Sequence, residues 1–199
     1  YLLENESNGL SWYLNRNREL IFYNYKKYFF TNLLETEKIN GLKFSYHNNI
    51  IKNKKYVIKV IKHYEKIWPK FKQTPAHGDL TFDNLIFKKN DIFIIDWENF
   101  KNKGEVWGFD LAYFLLSCLI LPNLNKNEIH NNEVKEFKKI WKKIKKKIKS
   151  NSLKSNPLIF FEKKFKSDGH WKYVSKKNPK KFFTNKISRN IKQQLNKIF

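Results

Sequence analysis

Residues 77–98, HGDLTFDNLIFKKNDIFIIDWE, hold two short apolar runs joined by the polar turn KKND. Runs of this length with a turn between them suit a small β-hairpin and are too short for a helix. The polar residues sit at its mouth. His77, Asp79 and Asn84 precede the first run and Asp96 follows the second. Upstream, Val57, Val60, Ile61, Tyr64, Ile67, Trp68 and Phe71 recur at helical spacing, and Pro69 and Pro75 close that helix. Downstream, FDLAYFLLSCLIL (109–121) is apolar all round, as a buried helix is. One hairpin between a one-sided helix and an all-apolar helix predicts an α+β domain that is predominantly helical.

The remaining segments extend the same pattern. LIFYNYKKYFFTNLLETEKI (20–39) shows helical spacing, and residues 99–108 read as a looser stretch with Gly104 and Gly108. Residues 132–149 predict an amphipathic helix with Val134, Phe137, Ile140, Trp141, Ile144 and Ile148 on one side. Further helices follow, broken at Ser155–Pro157, at Asp168–Gly169 and around Pro179.

With 41% apolar and 17% aromatic residues in 199, the chain can build a real core. Its net charge of +23 raises polyanions as partners. Almost all the cations are lysine, with arginine only at Arg16, Arg18 and Arg189. Bidentate reading of phosphates and base edges favours arginine, so no nucleic-acid polymer is expected as a partner. The lysine excess accompanies an excess of Asn, Ile and Phe, the mark of a biased genome composition. Cys118 stands alone in an apolar run, so no disulfide framework is possible and a reducing, cytoplasmic location is expected. No signal-like N-terminus is present, and the longest apolar run is about half of what a bilayer needs.

Phosphoryl transfer requires a carboxylate to orient the attacking hydroxyl and oxygen ligands to hold magnesium against the phosphates. Magnesium keeps few protein ligands, one or two carboxylates or amides. A hairpin that brings Asp96 back to Asn84 lets a carboxylate and an amide share one ion while Asp79 faces the substrate.

HGDLTFDN followed by IIDWE resembles the aminoglycoside phosphotransferase and choline kinase superfamily, small-molecule relatives of the protein kinases. The form H-G-D-x-x-x-x-N then I-D-[WF]-E is matched at every named position, and GFDLAYFL is similar to the family's later helix start. The resemblance covers residues 56–121. It implies a protein-kinase-like fold with Asp79 as catalytic base and Asn84 and Asp96 as magnesium ligands. It further implies that His77 braces the loop, that Asp110 ties the next helix to it, and that Glu98 assists the metal or the acceptor hydroxyl. ATP and Mg2+ would be the cofactors, and the acceptor a small hydroxylated molecule of choline, thiamine, aminoglycoside or sugar type, seated largely by residues 111–199.

Each residue also has a plainer reading. His77 alone is an ordinary hydrogen-bonded histidine, Asp79 with Asn84 a turn and a cap, Asp96 a strand end, and Asp110 a helix N-cap. His47, His63, His130 and His170 show no metal-ligand spacing. Only Gly9 and Gly41 precede Gly78, so the phosphate-gripping glycine-rich loop is missing. The chain starts at Tyr1 without methionine, which predicts a C-terminal lobe (16–199) with residues 1–15 as the hinge strand, and little activity for this stretch in isolation. The plainer reading of residues 1–15 is an ordinary strand or a frayed terminus. The alternatives in other classes are an inactive pseudokinase lobe and a membrane-surface or polyanion binder, the latter suggested by the lysine face of KEFKKIWKKIKKKIKS.

Overall fold

The computed structural model describes residues 2–17, 23–28, 32–45, 49–89, 91–177 and 187–199. His47, Arg18 and Pro179 lie outside them. Helix α3 (Phe109–Ile120) is the axis of the core: each of its residues is buried, including Asp110 and Ser117. A helix with no polar face can only be stable when covered on every side. Around it pack α2 (Lys54–Ile67), α4 (Asn131–Lys145), α5 (Asn151–Ser155), α6 (Pro157–Ser167), α7 (Gly169–Lys177) and α8 (Arg189–Asn196). The fold is α+β, with small antiparallel sheets at one side.

The expected hairpin forms as β5 (Leu85–Lys88) and β6 (Asp91–Ile94), in the register Leu85↔Ile94 to Lys88↔Asp91. Strand β3 (Leu42–Lys43) extends it along β5. More sheet is present than the single expected hairpin. The looser stretch contains β7 (Lys101–Glu105), which pairs with β4 (Thr74–Ala76), and Gly104 takes φ +102 within it. The helical spacing of residues 20–39 is overturned: β1 (Tyr23–Lys27) and β2 (Asn32–Thr36) pair antiparallel, Tyr23 opposite Thr36. Tyr-rich segments favour a half-exposed pleat, and the described residues of this pair are half-buried or exposed, with none in the core. An apolar count at helical spacing does not separate these two outcomes.

Residues expected as a hinge strand are instead helical, in α1 (Leu2–Leu14). Its buried positions, Ser7, Gly9, Leu10, Tyr13 and Trp12, follow helical spacing rather than alternation. A Cβ on Gly9 would lie 2.6 Å from the Trp97 side chain, so the helix backbone sits directly on that indole. In α2 the predicted stripe of Val57, Val60, Tyr64 and Ile67 is buried. Phe71 is a correction: the helix stops at Ile67, Trp68 is extended ahead of Pro69, and Phe71 is 69% exposed. In α4 Phe137, Ile140, Trp141 and Ile144 are buried in the core, so this helix has no apolar face left to lay on lipid. Breaks fall at Asn156 and Asp168 as expected, with the Asn156 side chain capping α6 through Ile159 N. No described helix is long and apolar enough to cross a membrane.

Candidate active site

Strand β4 ends at Ala76 and delivers the chain into a tight, almost wholly buried loop, 77–84. Its conformation is set by Asp110 in the first turn of α3. The two carboxylate oxygens of Asp110 accept the backbone N–H groups of His77 and Gly78, each at 2.9 Å. Asp110 is 1% exposed. Burial pushes its pKa up to about 7, and the charge of Glu105 adds to this against the two opposing N–H bonds. Asp110 therefore acts as a cross-link between α3 and the loop, beyond what a helix N-cap does.

His77 provides a second tie. Its Nε2 lies 2.9 Å from Ile95 O, and its Nδ1 accepts the backbone N–H of Asp79 at 3.2 Å. A carbonyl can only accept, so these partners specify the tautomer protonated at Nε2. The ring packs edge-on to Trp97, centroids 4.6 Å apart. Trp97 is itself fully buried against Trp12, Tyr13, Trp68 and Phe100.

A short 3-10 turn, Phe82–Asn84, leads into β5. The Asn84 amide nitrogen donates to Asp79 O at 2.8 Å and lies 3.3 Å from Asp79 Oδ2. Asp79 and Asn84 are 5% and 6% exposed, so their polar groups meet in poorly solvated surroundings. Among the described residues the Asn84 Oδ1 accepts no hydrogen bond, which leaves an amide oxygen of the hard type that magnesium takes. The hairpin returns the backbone at Ile95, the residue before Asp96, to this loop. Ile95 N donates to Asn84 O at 3.0 Å while Ile95 O receives His77. Ile95 thus ties both edges of the loop, and Asp96 is the next residue. It has φ +63, a left-handed conformation that costs a non-glycine residue about 1–2 kcal/mol. Glu98 follows in a turn, half-buried, with its backbone oxygen accepting Asn5 Nδ2 at 3.2 Å. Among the described residues no group of three or more His, Cys, Asp or Glu is disposed to hold an ion, so a metal here would rely on the Asn84 and Asp96 pair.

Sequence reading missed two features. The first is a cavity of about 320 Å³ lined by Leu10, Ile86, Ile94 and Ile95, with Lys38, Lys43, Glu6 and Glu37 at its wall. Its apolar floor is the hairpin face that ends at Asp96. Neither upstream glycine forms a phosphate loop. Gly9 packs on Trp97, and a Cβ on Gly41 would meet Ile86 Cγ2 at 2.6 Å.

The second is a brace behind the loop. Gly78 has φ +88, and a Cβ there would stand 2.6 Å from Trp171 Cζ3 and 2.8 Å from Asn99 O. Trp171, from α7, stacks on Phe109 (centroids 5.1 Å) and donates Nε1–H to Glu105 Oε1 at 2.8 Å. Glu105 is 1% exposed and also receives Lys101 at 2.8 Å and Lys164 at 3.2 Å. Asp168 joins both lysines at 2.9 and 3.0 Å and caps α7 through His170 N and Trp171 N. Burial alone would lower the Lys101 pKa and raise that of Asp168. The mutual hydrogen bonds outweigh it, holding the ammonium above its ordinary range and the carboxyl at about 2. Only the DGHW break at 168–171 marked this place in the sequence.

The other described histidines serve the scaffold. His63 is bonded to Tyr13 Oη at 3.0 Å and burial lowers its pKa to about 4. His130 caps α4. His170 Nε2 lies 3.2 Å from Asn99 O. No family model matches this chain, and no curated protein or solved structure matches it either.

Proposed function

We propose that this chain carries the catalytic and metal-binding residues of an ATP- and magnesium-dependent phosphotransferase whose acceptor is a hydroxyl on a small molecule, on a protein-kinase-like lobe. The observation that supports it most is the meeting of Asp79 and Asn84 across 3.3 Å, with Ile95 tying Asp96 to the same loop. Asp79 orients the acceptor hydroxyl and takes its proton. Its backbone N–H is held by His77, and the loop is held by Asp110, so the carboxylate stays aimed as the proton moves. Asn84 Oδ1 and the Asp96 carboxylate would hold the metal, which supplies charge neutralisation on the phosphates when bound. The cavity beside Ile95 would seat the nucleotide's base on Ile86, Ile94 and Ile95. The poor solvent access of Asp79 and Asn84 strengthens each of these electrostatic contacts.

The test is calorimetric titration of the full-length protein with magnesium and ATP, alongside phosphotransfer to a panel of amino alcohols, sugars and aminoglycosides. Asp96→Ala is expected to lose metal-dependent nucleotide binding. Asp79→Asn is expected to keep binding and lose at least about a hundredfold in kcat. Full activity in both variants sinks the assignment.

A further inference from the structure

The loop between α2 and β4, residues 68–73, carries Phe71 at its tip, the most exposed large hydrophobic side chain among the described residues at 69%. It stands over a recess of about 530 Å³ whose charged wall is Lys70, Lys72, Lys147 and Lys149, with no acidic residue among the described residues that line it. Lys70 Nζ lies 5.8 Å from the Trp107 ring centroid. Lys147 also borders a second, apolar-floored groove between α2 and α4, where Ile58, 38% exposed, faces out between Lys62, Lys139 and Lys143. The acidic residues of that groove are already engaged, Glu65 by Lys147 and Glu136 by Lys54. The two recesses share Lys147, and lysines surround the exposed Phe71 and Ile58 in them. This lysine-rich face lies at the start of β4, while the 77–84 loop lies at the end of that strand, so the two surfaces are separate.

We propose that this face docks on an anionic lipid bilayer, Phe71 entering the interface and the surrounding lysines meeting the headgroups. Lysine is a flexible point charge suited to a diffuse layer of phosphates and carboxylates, and juxtaposed lysines add their attraction to an acidic leaflet. A nucleic acid or an acidic protein would call for arginine and for buried aromatic anchors, and protein interfaces are depleted in lysine. No arginine is among the described residues that line this face. An exposed phenylalanine beside lysines is the arrangement by which interfacial segments combine apolar insertion with charge attraction.

Flotation of the full-length protein with vesicles of phosphatidylcholine carrying phosphatidylserine, and with phosphatidylcholine alone, tests this directly. The wild type is expected to float only with the anionic vesicles and to be released by salt. Combined Lys70→Ala, Lys72→Ala and Lys149→Ala is expected to weaken partition by about a hundredfold, and Phe71→Ala by about tenfold. Lys163→Ala with Lys166→Ala, on the exposed face of α6, removes charge elsewhere and is expected to cost only a few-fold. All these positions are exposed, so an unchanged melting temperature is expected throughout. Absence of flotation, full binding by Phe71→Ala, an equal loss in the α6 control, or full displacement by a single-stranded oligonucleotide at matched phosphate concentration each overturns the proposal. None of these readouts involves phosphotransfer.

Discussion

Gly78→Ala is the most informative single substitution. Gly78 sits at φ +88, where an alanine costs about 1–2 kcal/mol in backbone strain. Its new methyl would also meet Trp171 Cζ3 and Cη2 at 2.6 and 2.7 Å. The indole has little room to retreat, because it stacks on Phe109 and is tethered to Glu105. Overpacking of this kind costs a further 1–3 kcal/mol or so. The expected loss is about 2–5 kcal/mol, a large part of a typical domain's stability of roughly 5–15 kcal/mol. Urea unfolding of the wild type, Gly78→Ala, Trp171→Phe and the double variant separates the two contributions. Trp171→Phe removes the ring atoms that the methyl strikes, so the double variant should recover about 1–2 kcal/mol of coupling and leave unrecovered the backbone share and the 2.8 Å approach to Asn99 O. A coupling below about 0.5 kcal/mol would show that Trp171 does not confine the loop, and the brace would have to be abandoned.

Two further outcomes follow from buried charges. The folded-state pKa of Asp110, about 7, lies above its ordinary 3.8, so its stabilising contribution is fully present below about pH 4 and is lost as pH rises through about 7. The swing is on the order of 4 kcal/mol, and Asp110→Asn should flatten stability over that window in pH-dependent melting; an unchanged slope refutes the assignment. Glu105→Gln keeps an acceptor oxygen for Trp171 but removes the negative charge shared by Lys101 and Lys164, leaving two lysines facing one carboxylate, Asp168. Denaturant unfolding should register a loss of about 3–5 kcal/mol, and a loss below 1 kcal/mol would mean the cluster is solvated.

Hairpin β5–β6 and the helix α3 were legible because each is set by contacts close in sequence: alternating short runs around a polar turn, and an apolar stretch that tolerates no exposed side. The same locality made His77, Asp79, Asn84, Asp96 and Asp110 stand out, since polar residues packed between apolar runs need partners that the apolar runs cannot supply. Residues 20–39 failed for the opposite reason. Their apolar residues fit a helix stripe as well as a pleat, and pairing between Tyr23 and Thr36 rather than any local preference decided the matter. Residues 2–14 likewise became a helix because Gly9 and Leu10 find Trp97 and the core, far along the chain.

By itself, then, the amino-acid order determined that a mainly helical chain would carry one polar loop at the mouth of a hairpin, holding His77, Asp79 and Asn84 with Asp96 across from them. Tertiary structure alone decided what surrounds that loop. The Trp171 and Glu105 brace, the cavity floored by Ile86, Ile94 and Ile95, and the lysine face around Phe71 each join segments tens of residues apart. Such sites arise from packing, where burial in three dimensions selects neighbours that no local pattern specifies.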